Sequence, residues 1–491
     1  MVDFSGLLPP SRERLALAHA ALVVIASAWL LGGMGPRGEW IVATLAAPAF
    51  ALLFLEARAR RLAGDRAGHR RLLRWCAPLA ALAVLVTISA LNPSHRAAFL
   101  QDGHVLRPVP HLAWLPSSAD PAGSLRVLAC LGGLAATGLV LAFCVHSRRA
   151  LRALVLVLAL HALVLAVLGT LQHQTGAAGP FFGAIPRVNT AWFATFLYHN
   201  HWGAFAVLHV AATLALVFHS LRHPPDRGWT HSPGPLLALA AILLAATAPL
   251  STSRSTTVLM LLLAAAALVA ALRHALRSAR RRRSSRAGLL RVLAIAALLA
   301  SASGLVAFQS RDVIAARLAA TRAQLSALQA GDAGYTRADL YADTWRMAAD
   351  NPVFGWGLES YGRIFLNYSR FKPGSDRLMN TFVDAHSDWL QSLAELGLVG
   401  TALLLAVGLV PLADTFRISR LAAFPAWLLA GCALIAAYAW VEFPLACPAV
   451  VATWWILWFA ALRTLQLTPA YEPIPSRPSA APGAPPPAPR P

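Results

Sequence analysis

Ser255 to Leu272 reads STTVLMLLLAAAALVAAL, a stretch without one charged residue that is bracketed by Arg254 and Arg273. A run of about 18 apolar residues is long enough to cross the hydrocarbon core of a bilayer as a helix. Leu421 to Val441 is a second such run. Around them the whole chain of 491 residues is 57% hydrophobic and only 13% charged, with a mean hydropathy of +0.58. A soluble domain carries charge on about a quarter of its residues. The expected fold class is therefore an all-α polytopic membrane protein lying in the lipid bilayer. Counting apolar runs of roughly 20 residues gives about twelve spans, near 15–34, 38–56, 75–91, 124–146, 153–171, 196–218, 235–250, 255–272, 288–308, 393–413, 421–441 and 445–462.

The net charge of +21 invites a nucleic-acid reading, but its distribution rejects one. Arginines at positions 12–14, 58–74, 148–152, 222–227, 273–291 and 417–420 and beyond Arg463 fall on one side of the expected spans, which carries +20. The other side carries +1. That asymmetry is the positive-inside rule, which puts both termini in the cytoplasm. The arginine runs also lack the interleaved aromatics of a nucleic-acid groove. Cys76, Cys130, Cys144, Cys432 and Cys447 show no Cys-x-x-Cys spacing, so neither a disulfide framework nor a thiolate metal site is expected. The first apolar run lacks a small-residue cleavage site and is read as a span, not as a signal peptide. The organisation expected is spans one to nine over 1–308, an outer loop subdomain over 309–392, spans ten to twelve over 393–463, and a disordered Pro/Ala-rich cytoplasmic tail over 464–491.

The outer loop is far longer than a connection requires, so it should fold. Its nine basic and nine acidic residues balance. Arg311 to Ala330 has a helical apolar stripe. Thr336-Arg-Ala-Asp339 is a capping-box pattern that should start a second helix, ending before Asn351-Pro352. Gly355-Trp356-Gly357 reads as a tight turn. A third helix is expected after Asp384, with His386, Trp389, Leu390, Leu393 and Leu396 along one face.

Two readings stand for His386: a packed interfacial histidine, or a base at a cavity mouth flanked by Asp384 and Asp388. Arg254 sits at the outer boundary at a helix N-terminus, where both the charge bias and the helix dipole disfavour a cation. Either it reaches up to lipid headgroups, or, with helix amides, it meets an anionic ligand. Arg187 repeats the theme before the sixth span, and two such arginines point to a diphosphate. His199 and His201 diverge by about 200° on a helix and cannot share one metal ion. Asn200 and His201 are read instead as cavity-lining residues.

These elements resemble the O-antigen ligase and polymerase family of bacterial envelope glycosyltransferases. Arg187 with Thr195-Phe-Leu-Tyr-His199-Asn200-His201-Trp-Gly-Ala-Phe is similar to the family's Arg, Gly-Thr-Phe, Asn-x-Asn-His-x-Ala stretch. Ser251-Thr-Ser253-Arg254-Ser255 resembles its Ser-Arg-Gly turn, with serine in place of glycine. Arg337 to Gly357, containing Trp345, Arg346 and Trp356, resembles its Arg, Trp, Asn-Pro-x-x-Gly-x-Gly segment. Asp384-Ala-His386-Ser387-Asp388-Trp-Leu-Gln391 followed by Glu395-Leu-Gly397 is similar to its His-Asn-x-x-Leu-Gln, Glu-x-Gly signature, with Ser387 replacing asparagine. Val441-Glu442-Phe443-Pro444-Leu445 at the start of the last span also fits.

The resemblance implies an inner-membrane enzyme with a periplasmic active site, acting on a glycan carried by undecaprenyl diphosphate. The acceptor would be another glycan, a lipid A core or a glycoprotein. It implies His386 as catalytic base and Arg187, Arg254, Arg337 and Arg346 as residues at the donor diphosphate. Trp345, Trp356, Asp384 and Asp388 would line the cavity, with no metal and no cofactor in an inverting transfer. The rival readings are a twelve-span polysaccharide transporter or flippase, and a non-enzymatic envelope assembly subunit.

Overall fold

A computed structural model describes residues 11–100, 103–186, 191–223, 229–281, 336–370, 382–416 and 421–468, with isolated positions at 315, 319 and 322. Its helices are α1 (Ser11–Trp29), α2 (Gly35–Ala46), α3 (Pro48–Leu62), α4 (Arg66–Leu91), α5 (Pro121–Cys144), α6 (Arg148–Gln174) and α7 (His199–Arg222). They continue as α8 (Gly234–Leu250), α9 (Arg254–Arg281), α10 (Arg337–Asp350), α11 (Tyr361–Ile364), α12 (Asp388–Phe416), α13 (Ala423–Tyr438) and α14 (Pro448–Gln466). Eight helices are long and apolar enough to cross a membrane, α2 and α3 counting as one, and α8 and α13 are shorter apolar helices. The ninth expected span, all but three positions of the Arg311–Ala330 stripe, and the tail beyond 468 lie outside the described residues; Thr464 to Gln466, expected to open the disordered tail, instead form the last turn of α14, where Thr464 Oγ1 donates to Ala460 O at 2.7 Å.

The chain is a multi-pass membrane protein. Its side-chain distribution makes the same point as its composition: α9 leaves Val258, Leu261 and Leu262 between 53% and 60% exposed, and α6 leaves Leu160, Val164 and Val167 about half exposed. Water would penalise such apolar faces, whereas lipid accepts them. By contrast α5, α7 and α14 are buried almost throughout and form the centre of the bundle.

Local chemistry sets the helix boundaries. Asp65 caps α4 through Gly68 N at 2.8 Å, so that helix begins nine residues before the apolar run that announced it. Pro48 cannot donate to the turn before it, and the second expected span divides there into α2 and α3. Residues 92–123, between the third and fourth expected spans, carry a two-stranded antiparallel hairpin, β1 (His95–Leu100) paired with β2 (Gly103–Pro108) from His95 opposite Pro108 to Leu100 opposite Gly103.

The segment that precedes α12 has a small core of its own. Leu340 and Met347 of α10, Tyr361 and Ile364 of α11, Phe365, Ala385 and Ala394 are all buried together, separately from the main core. Thr336 and Asp339 form both arms of the expected capping box. The decisive joint lies within α12, where Gly397 adopts φ 61° and ψ −169° and interrupts the helix. The backbone groups released there are taken up by residues 352–357: Leu398 N donates to Pro352 O at 2.8 Å, Val399 N to Val353 O at 3.1 Å, and Gly357 N to Glu395 O at 2.8 Å. A break at membrane depth survives only when protein satisfies it in this way. Gly355 is equally constrained, since a Cβ there would lie 2.4 Å from Glu395 O. The buried Glu395 carboxylate completes the joint by accepting from Glu359 N at 2.9 Å and Tyr361 N at 3.0 Å. The Asn-Pro-x-x-Gly-x-Gly and Glu-x-Gly motifs are thus two halves of one scaffold.

Candidate active site

His386 stands two residues before α12, not at the head of its apolar stripe, and its backbone is left-handed with φ 51°. A non-glycine residue holds that conformation only where its surroundings impose it. Here they do. Ala385 N donates to Gln391 Oε1 at 3.0 Å, Ser387 Oγ accepts from Leu390 N at 3.4 Å as a helix cap, and Tyr341 Oη donates to the His386 carbonyl at 3.0 Å. The Asp388 carboxylate accepts from Leu445 N at 2.8 Å, and its own N–H donates to Glu442 O at 3.2 Å. Asp388 is therefore a brace between the start of α12 and the Glu442 turn.

That turn supplies the partner of the histidine. His386 Nδ1 lies 3.4 Å from Glu442 Oε2, and the Arg337 guanidinium grips the other oxygen while Arg337 Nη1 donates to Val441 O at 3.1 Å. Glu442 is 2% exposed and His386 24%. Burial alone would raise the Glu442 carboxyl, but the His386 contact and the Arg337 charge outweigh it and hold it below the ordinary glutamate value. Burial likewise works against the Arg337 charge, and the attraction of Glu442 reverses this, so Arg337 is more firmly protonated than usual. A carboxylate that stays ionised beside Nδ1 favours the tautomer with its proton on Nδ1, leaving Nε2 as the acceptor. The imidazole stands edge-on to Phe443, with ring centres 4.7 Å apart.

Phe443 joins this cluster to the arginine turn. It stacks on Tyr198 at 5.2 Å and its carbonyl meets His201 Nε2 at 3.2 Å. His199, pointing elsewhere, meets Ser251 O and Thr252 Oγ1 at 3.0 Å each. Asn200 donates to Tyr198 Oη at 2.8 Å and accepts from Ser253 Oγ at 2.6 Å. The start of α7 thus holds the Ser251–Ser253 turn with one set of bonds and the Glu442–Phe443 turn with another. Arg254 follows that turn directly as the first, exposed residue of α9. Thr252 is left-handed as well, with φ 65°. The buried Asn200 and His201 tie the two turns to the start of α7 and so fix them relative to each other.

Other expected residues fall elsewhere. Arg346 lies on the far face of α10 from Arg337, as a separation of nine residues, about 180° around a helix, requires. It pairs with buried Asp343 at 2.7 Å, which also binds Arg370. Trp345 is 59% exposed, and Trp356 donates to Met347 O at 2.8 Å against Tyr368. Asp384 is half-buried, and that burial pushes its carboxyl up to about 6, opposed by His386. Arg187 lies outside the described residues. Among the described residues no group of three or more His, Cys, Asp or Glu is arranged around a metal position.

Glu442 is absent from the expected site residues, although the sequence carries a signal for it. It is the sole charged residue between Arg420 and Arg463, and a carboxylate in so apolar a stretch marks function.

No curated protein matches the chain. A family model described as O-antigen ligase matches residues 239–405, a segment that opens within α8, contains Arg254, Arg337 and His386, and closes within α12. That match covers about a third of the chain, and over it this multi-pass membrane protein is similar to the O-antigen ligase family.

Proposed function

We propose that the protein is an inner-membrane glycosyltransferase of the O-antigen ligase and polymerase type, using a glycan donor on undecaprenyl diphosphate at the periplasmic face. The observation that carries this reading is the convergence of His386, Glu442 and Arg337 beside the Arg254 turn. In the proposed step an acceptor sugar hydroxyl attacks the anomeric carbon of the donor. The new C–O bond forms as the bond from that carbon to the diphosphate oxygen breaks, and undecaprenyl diphosphate departs with the electron pair. His386 Nε2 takes the hydroxyl proton, and Glu442 stabilises the imidazolium that results. Attack from the face opposite the leaving group inverts the anomeric centre.

Arg254 and Arg187 are assigned to the diphosphate, where guanidinium forks and the first amides of α9 match phosphate oxygens. Arg337 is committed to Glu442 and is assigned to positioning that carboxylate, with its side chain 52% exposed. Arg346, committed to Asp343, is assigned to holding the outer subdomain together. The described part of the outer subdomain, residues 336–370, is read as bringing Arg337 and Tyr341 to the site.

The test is transfer by purified protein in proteoliposomes given an undecaprenyl-diphosphate glycan with a glycan, a lipid A core or a glycoprotein as acceptor. Acceptor-dependent product that disappears with His386→Ala and with Arg254→Ala supports the reading. Product formation unchanged in both variants overturns it.

A further inference from the structure

The opposite end of the bundle holds a second feature that this chemistry leaves unused. A cavity of about 650 Å³ opens where α6 begins, α7 ends, α13 begins and α14 ends. It is lined by Arg148, Arg149 and Arg152 of α6, His219 and Arg222 of α7, and His223 just beyond. None of its described lining residues is acidic. Three arginines of this end have partners, Arg60 with Glu56 and Asp65, Arg74 with Asp414, and Arg463 donating to Val145 O at 2.6 Å, while others such as Arg66 and Arg70 lie outside the cavity on the exposed start of α4. Among the described residues, Arg148, Arg149, Arg152 and Arg222 have neither a carboxylate nor a carbonyl. The Glu13 carboxylate, beside the start of α6, is buried and accepts from Ser147 N at 3.1 Å. Asp226 lies outside the described residues.

Four guanidiniums around one concavity repel one another unless an anion joins them. The backbone adds donors of the same kind. Ala422 to Pro425 form part of the wall, and α13 starts at Ala423 with no side-chain cap, since Ala422 has none to offer. Its first amides are therefore available to an acceptor. Phe424 and Pro425 give the cavity an apolar side beside its charged one. A volume of this size accommodates a molecule of metabolite or headgroup dimensions, beyond a single small ion.

We infer that this cavity binds a phosphoryl-bearing anion, either the headgroup of an anionic phospholipid or a soluble phosphate compound, through Arg148, Arg149, Arg152 and Arg222. The chemistry is shared by both sources: planar forks and helix amides on phosphate oxygens, with apolar walls for what the phosphate carries. The site lies at the end that the positive-inside rule assigns to the cytoplasm, away from the His386 cluster.

The test uses the purified full-length chain in neutral detergent, titrated separately with phosphatidylglycerol, with cardiolipin and with inorganic pyrophosphate, and read by native mass spectrometry. Arg148→Gln/Arg152→Gln should bind about thirty-fold more weakly, each arginine near a headgroup contributing roughly five-fold. Arg66→Gln/Arg70→Gln removes equal charge from the same end outside the cavity and should stay within about twofold of the unaltered chain. Arg222→Gln, at an exposed position, gives a second variant expected to lose about five-fold, and circular dichroism confirms that each variant is folded. Retention of the lipids alone assigns a headgroup, and retention of pyrophosphate as well assigns a soluble anion. Equal weakening in the two double variants, or binding of none of the three, overturns the inference. Because the readout is binding, it is independent of glycan transfer.

Discussion

Replacing Glu442 by glutamine isolates the contribution of the His386 clasp. The amide keeps the size of the side chain and removes the charge that faces both His386 and Arg337. Arg337 is 52% exposed and stays solvated, so no unpaired buried charge is created on its side. What is lost is the partner that holds the Nδ1 proton and stabilises the imidazolium. General-base catalysis is worth about 10² to 10⁴ in rate. The contact of 3.4 Å is at the long end for a hydrogen bond, so the lower part of that range applies, and kcat should fall on the order of 10². Donor KM should move by less than about threefold, because Glu442 has the same sign as the diphosphate and does not bind it. Residues acting as one unit are non-additive. In a His386→Ala background, Glu442→Gln should therefore reduce the remaining rate by less than about threefold. The assay is initial-rate transfer in proteoliposomes for the two single variants and the double. Fully multiplicative losses would refute the clasp. Stability gives an independent check. Glu442 has a folded pKa below its ordinary value of 4.5, so the clasp stabilises the fold above that pH and loses its contribution as the pH falls through the folded value. The melting temperatures of the variant and the unaltered chain should differ at pH 7 and converge in acid.

Arg254→Gln should raise donor KM about tenfold or more while leaving the melting temperature within about 2 °C, because the side chain is exposed at the start of α9; titration with donor lipid measures it. Asp384 behaves oppositely to Glu442: its folded pKa, about 6, lies above the ordinary 3.8, so its burial is tolerated below 3.8 and destabilises the fold as the pH rises through 6. Asp384→Asn should accordingly stabilise by about 1 to 2 kcal/mol at pH 7.5 and by almost nothing at pH 4, as thermal melts in detergent would report. Gly397→Ala forces a Cβ to 2.4 Å from Val353 O at a φ of 61°, and should destabilise the joint between the outer loop and α12 by about 3 kcal/mol or more. Limited proteolysis should then cut within residues 352–370, and unchanged protection would contradict the role given to the joint.

The helical membrane architecture was legible because its cause is local: about twenty apolar residues in sequence are sufficient to mark a span, and arginine asymmetry reads along the chain without reference to tertiary contacts. The capping box at Thr336 was legible for the same reason. Arg254 and His386 stood out as a charge and a base at the ends of expected spans, where composition gives no reason for them. The Glu442 partnership did not, since it joins residues 56 and 105 positions apart across three segments, and no periodicity encodes such a distance. Arg337 and Arg346 carried equal weight in the motif, yet their spacing of nine already puts them on opposite helix faces. The left-handed backbone at His386 was hidden by an apolar spacing that continued into the real helix and drew the helix start too early. Gly397 was visible as a motif residue, while its role as a helix break became clear only from the loop that satisfies it.

The most direct measurement of the central claim is the single-turnover transfer rate of His386→Ala with an undecaprenyl-diphosphate glycan donor, alongside the donor dissociation constant of the same variant. If His386 is the base of the proposed step, the rate falls about 100-fold or more while donor affinity stays within about twofold. A transfer rate equal to that of the unaltered chain would contradict it.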